Sequence, residues 1–405
     1  MRRTRLLYLA NDARYFLSHR LPVAQAAADQ GAEIHVAAPP HAKARARIEE
    51  HGFAFHPIPM SRRKLGISEL HTFLEILRVF RRVRPHLVHA VTIKPVIYGG
   101  IAARLTPGTG FVATISGLGH VFLAQGVVAT LRKRAALLAY RIALGGKNTR
   151  VIFQNEDDRR YFLENSVVKH DRTTLIRGSG VDVETFRYSE ELPAEVPLVV
   201  MASRMLRTKG VEEFAAASQI LKNQGVSARF VLVGPTDPGN PDTLSEEELR
   251  RLTTDYPVEW WGERSDIKEI FTSSALVCLP SHGEGLPKVL LEAGAIGRAV
   301  VATDVPGCRE VIREGKNGLL VPKGDARRLA EAIARLLQDD DLRHRLGANA
   351  RSIVENSFST KIVSELTLEI YRNVASSLDV ELLPLGPVTK DKHIESPSLR
   401  QKRAS

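Results

Sequence analysis

The stretch SHGEGLPKVLLEAGAIGRAVVATDVPGCREV, residues 281–311, decides the fold class of this chain. A Gly-Leu-Pro turn opens a helical segment, a buried strand-like run follows at residues 299–302, and a second turn begins at Pro306. A strand, a helix and a strand joined by glycine-rich turns form a parallel α/β sheet, which binds nucleotides at the carboxyl ends of its strands. We therefore expect a nucleotide site in this segment.

Two carboxylates, Glu284 and Glu292, lie eight positions apart around the start of the predicted helix. Pro287 suits the first helical position, because its φ is fixed and its missing N–H needs no partner there. The free amides of the first turn then form an anion site suited to a diphosphate. Glu292 lies more than one turn inside the helix, roughly 10 Å further along the helix axis than Glu284 at a rise of about 1.5 Å per residue. The two acids thus flank the pocket and can accept hydrogen bonds from sugar and ribose hydroxyls.

A purely structural alternative is that Ser281 and Glu284 form a capping box and that Glu292 is an ordinary surface acid. The segment SRMLRTKG, residues 203–210, favours the phosphate interpretation, because Arg204 and Lys209 follow a predicted strand. These cations can neutralise a departing diphosphate. Alone this segment could be a basic surface loop, but together with the two acids it indicates a nucleoside-diphosphate site.

The length and the rhythm of the chain predict two domains. Apolar strand-like runs alternate with helical patterns on both sides of the Glu- and Pro-rich stretch 189–197, which we interpret as a hinge. We expect an α/β protein with two Rossmann-like domains facing across a cleft. The predicted divisions are a first domain at 1–187, a second at 188–357, a helix at 358–380 that crosses back to the first domain, and a disordered basic tail at 381–405.

Charge is unevenly distributed along the chain. Residues 1–187 carry 29 Lys and Arg against 14 Asp and Glu, whereas the remainder is net acidic. The basic half therefore predicts an anionic partner, either a membrane face or a nucleic acid. At residues 61–84, apolar residues at helical spacing lie between two basic clusters, which fits an amphipathic segment on an anionic membrane. A core-facing helix with solvated ends is the open alternative.

Cysteine content and hydropathy indicate the compartment. Cys278 and Cys308 are the two cysteines, so no disulfide framework is expected and a reducing cytoplasm is predicted. No apolar run is long enough for a transmembrane helix.

Several longer segments then resemble a known family. The second half is similar to family 4 glycosyltransferases of the GT-B fold in ASRMLRTKG (202–210), EGLPKVLLE (284–292) and ATDVPGCREVI (302–312) followed by GLLVP. The first half resembles a subgroup that extends bacterial glycans on polyprenyl-diphosphate carriers. Its matching segments are FLSHRLPVAQAA (16–27), VHAVTIKP (88–95), SGLG (116–119) and VIFQNEDD (151–158). The resemblance covers roughly residues 5–375.

The resemblance implies roles for the candidate residues. Glu284 contacts the hydroxyls of the donor sugar, and Glu292 holds the ribose. Arg204 and Lys209 bind the diphosphate. The backbone around the start of the helix assists them, at Gly285, Leu286 and Pro287. Transfer retains the anomeric configuration by front-face attack, without a general base.

One further catalytic residue is suggested by position only. Family members have a histidine near the sugar, just after a strand of the first lobe, and His120 is the candidate. A solvated loop residue is the alternative interpretation for His120.

The resemblance also implies the partners. The donor substrate is a UDP-sugar, with no further cofactor and no metal, since Asp339–Asp341 is interpreted as a helix cap. The acceptor is a polyprenyl-diphosphate-linked saccharide, and the enzyme lies peripherally on the inner face of the membrane and binds no nucleic acid. The family's Gly-Gly turn after the first strand is replaced by Asn11 and Asp12, which leaves the roles of Asn11, Ser18, His19 and Arg20 open. A UDP-sugar 2-epimerase of the same fold and a nucleic-acid-binding protein are the alternative functions.

Overall fold

The chain folds around two parallel β-sheets. The computed structural model describes residues 4–60, 67–117, 126–191 and 193–378. Within these ranges, a seven-stranded sheet is built from the first half and a six-stranded sheet from the second, and every strand pair in both is parallel. We call the domain on the first sheet the N-terminal lobe and the domain on the second sheet the C-terminal lobe. The α/β class with two Rossmann-like domains is thereby confirmed.

The N-terminal lobe has strand order β3-β2-β1-β4-β5-β6-β7. Its strands are β1 (Arg5–Leu9), β2 (Glu33–Ala38), β3 (Ala54–Pro57), β4 (Leu87–Val91), β5 (Gly110–Ile115), β6 (Thr149–Phe153) and β7 (Thr173–Leu175). Its helices are α1 (Ala13–His19), α2 (Leu21–Asp29), α3 (Ala42–Glu50), α4 (Ile67–Val83), α5 (Ile93–Arg104), α6 (Val127–Leu144) and α7 (Glu156–Glu164).

The C-terminal lobe has strand order β10-β9-β8-β11-β12-β13, in which the order reverses next to β8. Its strands are β8 (Leu198–Ala202), β9 (Arg229–Val233), β10 (Val258–Trp260), β11 (Leu276–Leu279), β12 (Ala299–Thr303) and β13 (Leu319–Val321). The helices that follow are α8 (Val211–Asn223), α9 (Glu246–Asp255), α10 (Ile267–Thr272), α11 (Lys288–Ile296), α12 (Pro306–Val311), α13 (Ala326–Gln338), α14 (Asp340–Ser357) and α15 (Thr360–Ser376). Ligands of such sheets bind where the strand order reverses, which is where β8 and β11 end.

Burial on both faces explains why the central strands have unbroken apolar sequences. All five residues of β4 and all four of β11 are buried, as expected when helices cover both faces of a parallel sheet. Helix α15 packs into the core of the N-terminal lobe through Leu368, Tyr371 and Val374, so the chain returns to the first lobe after building the second.

The first residues of the stretch 189–197, which was predicted to be a hinge, are bound to side chains of the C-terminal lobe. The guanidinium of the buried Arg298 donates to the carbonyls of Ser189 and Glu190, and Arg343 pairs with Glu191 at 2.8 Å. Residues 189–191 are therefore attached to the C-terminal lobe.

The chain crosses from the N-terminal to the C-terminal lobe near Val181 and crosses back near residues 358–360. The two crossing segments lie side by side. There the amide of Val181 donates to Phe358, and the amide of Thr360 donates to Val181.

Candidate functional site between the lobes

Lys209 and Glu284 meet at the carboxyl edge of the second sheet. After β8, residues Arg207–Lys209 form one turn of 3-10 helix, which ends at Gly210 with a left-handed φ of 80°. A Cβ on Gly210 would lie 2.1 Å from the carbonyl oxygen of Pro280, so only glycine lets this turn pack against the loop after β11. The amide of His282 donates to the carbonyl of Thr208 at 2.8 Å and joins the two loops.

This packing brings the Lys209 Nζ to 2.5 Å from the Glu284 Oε1. The two side chains are 20% and 11% exposed. An ion pair that is mostly shielded from water is stronger than a surface pair, and the remaining exposure leaves both groups reachable from the cleft. Two residues 75 positions apart, predicted for one site, therefore lie in direct contact.

Arg204 lies in the same loop but contacts another group. Its Nη1 is 2.5 Å from the Asp237 Oδ2, and about half of its side chain is exposed. To bind a diphosphate, the Arg204 guanidinium would have to divide its hydrogen bonds between Asp237 and the phosphate, or to break its contact with Asp237.

The start of α11 differs by one position from the prediction. Pro287 is the N-cap residue, with φ −78° and ψ 114°, and the first helical residue is Lys288. The extended ψ of Pro287 places it outside the helix, so the prediction that it is the first helical residue is wrong. Within the part of the chain that the structure describes, no side chain caps this end. The first free amides of α11 therefore follow directly after Leu286 and Pro287, as expected.

The alternative of a capping box is also wrong. The Ser281 hydroxyl donates to the carbonyl oxygens of Thr208 and Gly283, and Glu284 binds Lys209. Glu292 is not an ordinary surface acid, because its side chain is only 15% exposed.

Glu292 pairs with Lys288, which sequence analysis did not single out. The distance from Lys288 Nζ to Glu292 Oε1 is 3.4 Å. Burial raises the pKa of Glu292, and the nearby Lys288 opposes this shift. The i, i+4 spacing of the two residues was the available signal in the sequence. Lys288 also donates to the carbonyl of Ser18 at 3.2 Å, so it links the acid of one lobe to the backbone of the other.

The FLSHR segment lies on the facing wall of the cleft. His19 stacks on Tyr15 with ring centroids 4.2 Å apart, and its Nδ1 lies 2.7 Å from the Ser18 hydroxyl. Burial, Lys288 and Arg20 together lower the pKa of His19 to about 3. His19 is therefore a neutral imidazole at physiological pH.

Gly285 lies at the boundary between the lobes. A Cβ on Gly285 would be 2.0 Å from the carbonyl oxygen of Ser116, and one on Gly307 would be 2.5 Å from that of Glu284. The Asn155 side chain donates to the Gly285 carbonyl at 3.1 Å. Asn155 is the N-cap residue of α7, and the sequence contains no signal for its contact 130 positions away.

His120 lies outside the described residues, as do residues 61–64 and 381–405. Within the described ranges, no group of three or more His, Cys, Asp or Glu side chains is arranged to hold a metal ion.

The assembled site combines a cation, two acids and a helix start in a cleft. Lys209 and the free amides of α11 can bind an anionic group. Glu284 and Glu292 can accept hydrogen bonds from hydroxyl groups on either side of it. This arrangement suits a molecule with a central diphosphate and two hydroxyl-rich ends.

Comparisons with protein families divide the chain in the same two parts. Residues 5–155 match the model "Glycosyl transferase 4-like", and residues 182–353 match "Glycosyl transferases group 1". Together the two models account for most of the chain.

Known proteins resemble the chain over nearly its whole length. It is 28% identical over 387 residues to the N,N'-diacetylbacillosaminyl-diphospho-undecaprenol alpha-1,3-N-acetylgalactosaminyltransferase of Campylobacter jejuni, covering 92% of this chain and 100% of the relative. It is 26% identical over 331 residues to the capsular polysaccharide biosynthesis glycosyltransferase CapM of Staphylococcus aureus, covering 78% and 84%.

The fold is shared with Anabaena HepE, solved in complex with UDP and glucose. The TM-score is 0.75 at 20% identity, covering 91% of this chain and 99% of HepE. The two lobes, the two family models and the solved structures agree: the chain belongs to the group 1 glycosyltransferases, with a family-4-like N-terminal domain and the GT-B fold.

Proposed function

We propose that this glycosyltransferase is a retaining enzyme. It moves a hexose or an N-acetylhexosamine from a UDP-sugar to a polyprenyl-diphosphate-linked saccharide in the synthesis of a surface glycan. The contact between Lys209 and Glu284, beside the free amides of α11, is the observation that carries the proposal. The names of the relatives support the acceptor, since one acts on a diphospho-undecaprenol-linked sugar and another in capsular polysaccharide biosynthesis.

The leaving group sets the main chemical demand. Cleavage of the bond between the sugar and UDP leaves negative charge on the diphosphate, and fixed cations and amide donors lower the barrier by stabilising that charge. Lys209 supplies a point charge and Arg204 a planar fork of donors. When the donor binds, Lys209 exchanges part of its contact with Glu284 for the phosphate. The freed Glu284 oxygen then accepts a hydrogen bond from a sugar hydroxyl.

Retention follows in this proposal from attack on the face that the diphosphate leaves. The leaving phosphate accepts the proton of the acceptor hydroxyl, so no protein base is required. Glu292 holds the ribose, and His120 is proposed to lie near the reacting face. The domain division at 187 and 188 remains part of the proposal, with donor binding in the second domain and acceptor binding in the first.

A membrane-facing surface fits the lipid-linked acceptor. Helix α6 carries an exposed stripe of Leu131, Leu138 and Ile142, which are 69%, 56% and 46% exposed. Basic side chains, including Arg132 and Arg134, are exposed beside the stripe. Apolar side chains bordered by cations favour binding to an anionic bilayer surface.

Helix α4 contributes less to this surface than its sequence suggested. Ile76, Val79 and Phe80 are buried against the first sheet, as in the core-facing alternative, whereas Leu70 and Leu74 remain exposed. Helices α4 and α6 flank α5 on the same face of the sheet.

No helix in the described part of the chain is long and apolar enough to cross a membrane. Cys278 and Cys308 are buried free thiols, which supports a reducing compartment. Peripheral attachment at the cytoplasmic face is proposed from the exposed apolar stripe of α6 and its basic neighbours.

A transfer assay tests the proposal. The protein is incubated with radiolabelled UDP-glucose, UDP-galactose and their N-acetyl forms, together with a bacterial membrane lipid extract. We expect one donor to label an organic-extractable lipid, and NMR of the product to show the anomeric configuration of the donor. No transfer from any UDP-sugar, or an inverted product, would contradict the proposal.

A further inference from the structure

We propose that Asn155 is a positioning residue for the donor loop, residues 284–287. In this inference the N-terminal lobe holds the donor loop in shape, although the loop belongs to the C-terminal lobe. The inference rests on the proposed function for the identity of the ligand, but its structural part can be tested without any ligand.

The donor loop is held from both lobes at one residue. The Gly285 backbone packs against the Ser116 carbonyl, where a Cβ would lie at 2.0 Å, and Gly307 packs against the Glu284 and Gly285 carbonyls. The Gly285 oxygen accepts the hydrogen bond from Asn155 Nδ2 at 3.1 Å. With glycine at 285 and 307, the backbone of the loop can pass between the lobes without a side chain in the way.

The hydrogen bond from Asn155 sets the orientation of a peptide group. In a trans peptide, C=O and N–H point in opposite directions. Because the Gly285 oxygen points to Asn155, the Leu286 N–H points away from it. Leu286 is one of the residues whose amide is proposed to assist diphosphate binding.

Asn155 is itself held firmly. It is 1% exposed, its Oδ1 accepts the amide of Asp158 at 2.8 Å, and its Nδ2 also donates to the Asp158 carboxylate at 2.9 Å. A side chain whose rotamer is locked by neighbouring hydrogen bonds can position a partner accurately.

A carboxylate of the C-terminal lobe secures the same contact. Glu310 Oε1 accepts the amide of Glu156, the first residue of α7, at 3.0 Å. Glu310 Oε2 accepts from Arg177 Nε at 2.5 Å. A carboxylate at a helix N-terminus is favoured by the helix dipole. Asn155 and Glu310 together therefore fix the start of α7 against the donor loop.

Asn155→Ser tests the inference, because serine retains the N-cap of α7 but cannot reach the Gly285 oxygen. Asp325→Ser is the matched control, since Asp325 caps α13 through the amide of Arg328, outside the described site. Hydrogen–deuterium exchange is measured on the unliganded proteins, and UDP affinity is measured by calorimetry. Thermal unfolding reports the stability of both variants.

We expect faster exchange in peptides spanning 284–290 of Asn155→Ser and UDP binding weakened two- to tenfold, as loss of one hydrogen bond gives. The control should change neither quantity. Unchanged exchange at 284–290 in Asn155→Ser would overturn the inference, and so would UDP affinity equal to that of the wild type. If the wild type itself binds no UDP, the proposed function fails, while the exchange comparison still decides the role of Asn155.

Glu310→Gln provides a second variant if Asn155→Ser does not fold. The neutral amide oxygen accepts more weakly than the carboxylate from the Glu156 N–H, and the charged contact with Arg177 is lost, so the start of α7 is held less firmly against the donor loop. We expect faster exchange at 284–290 and at the start of α7. Exchange identical to that of the wild type in both segments would overturn the inference.

Discussion

At the scale of single residues, the site depends on the contact between Lys209 and Glu284. Residue types and motif spacing predicted both residues for one site, because a diphosphate requires a cation and sugar hydroxyls require an acceptor. Their contact is observed, and their roles stay predictions. Lys288 and Asn155 were not predicted as site residues. Their contacts, to Ser18 and to Gly285, join residues 270 and 130 positions apart, and one sequence contains no signal for such distances.

Lys209→Ala should reduce the transfer rate at least a hundredfold, because the charge that develops on the diphosphate loses its partner. The rate is measured with saturating donor in the assay described above. Lys222→Ala removes an exposed lysine at the end of α8 and should leave the rate unchanged. Equal rates for Lys209→Ala and the wild type would refute the role of Lys209.

Glu292 predicts a pH dependence of UDP binding. Burial raises the pKa of its carboxyl group, and only the ionised form accepts both ribose hydroxyls fully. UDP affinity should therefore increase as the pH rises through this raised pKa. Lys288→Met removes the cation that opposes the shift, so the increase should move to higher pH.

Glu292→Gln is the control, because it removes the titration of Glu292 and keeps that of UDP and of every other group. Calorimetric titrations between pH 4.5 and 7.5 measure the dependence. A wild-type profile identical to that of Glu292→Gln would contradict the assignment of the ribose to Glu292.

At the scale of elements, strands were predicted better than helices. The apolar runs at β4, β8 and β11 stand out in the sequence as strand-like, because burial on both faces leaves an unbroken apolar sequence. The three-residue β7, at the edge of its sheet, was missed because its residues are only half buried. Helix α6 was missed because its exposed leucines obscure the amphipathic pattern.

Helix α7 provides a prediction about stability. Burial raises the pKa of Asp158 to about 6, although its hydrogen bond from Asn155 opposes this. The pKa of Asp158 is higher in the folded protein than in the unfolded chain, so the folded state keeps this proton to higher pH. The contribution of Asp158 to stability is therefore present below pH 4 and is lost as the pH rises through 6. The loss is on the order of 3 kcal/mol.

Asp158→Asn keeps an oxygen acceptor for Asn155 and cannot ionise. Its free energy of unfolding in urea, relative to that of the wild type, should therefore increase between pH 4.5 and 7.5. A difference between the two proteins that is constant over this range would show that Asp158 titrates normally.

Helix α6 predicts how the enzyme binds membranes. Leu131→Ser with Leu138→Ser removes apolar area without changing charge, and should reduce cosedimentation with phosphatidylglycerol vesicles severalfold. Val196→Ser, at another exposed apolar side chain, is the control. Equal binding of the double variant and the wild type would exclude α6 from the membrane surface.

At the scale of the whole molecule, the two sheets and their parallel order could be predicted because the βαβ rhythm is visible along the entire chain. The contacts between the lobes could not be predicted, since they depend on single side chains such as Glu310 and Lys288. Family membership decides between the two enzyme predictions in favour of the glycosyltransferase rather than the epimerase.

The proposed mechanism assigns charge stabilisation to protein cations alone. Transfer should therefore continue in excess EDTA within about twofold of the untreated rate, after dialysis against the chelator. A loss of transfer that Mg²⁺ or Mn²⁺ restores would contradict metal independence.

The most direct test of the central claim is a crystal structure of the protein with UDP. We predict the diphosphate between Lys209 and the first amides of α11, with the ribose hydroxyls on Glu292 and Arg204 turned from Asp237 towards the phosphates. A nucleotide bound elsewhere in the cleft, with the contact between Lys209 and Glu284 undisturbed, would contradict the account.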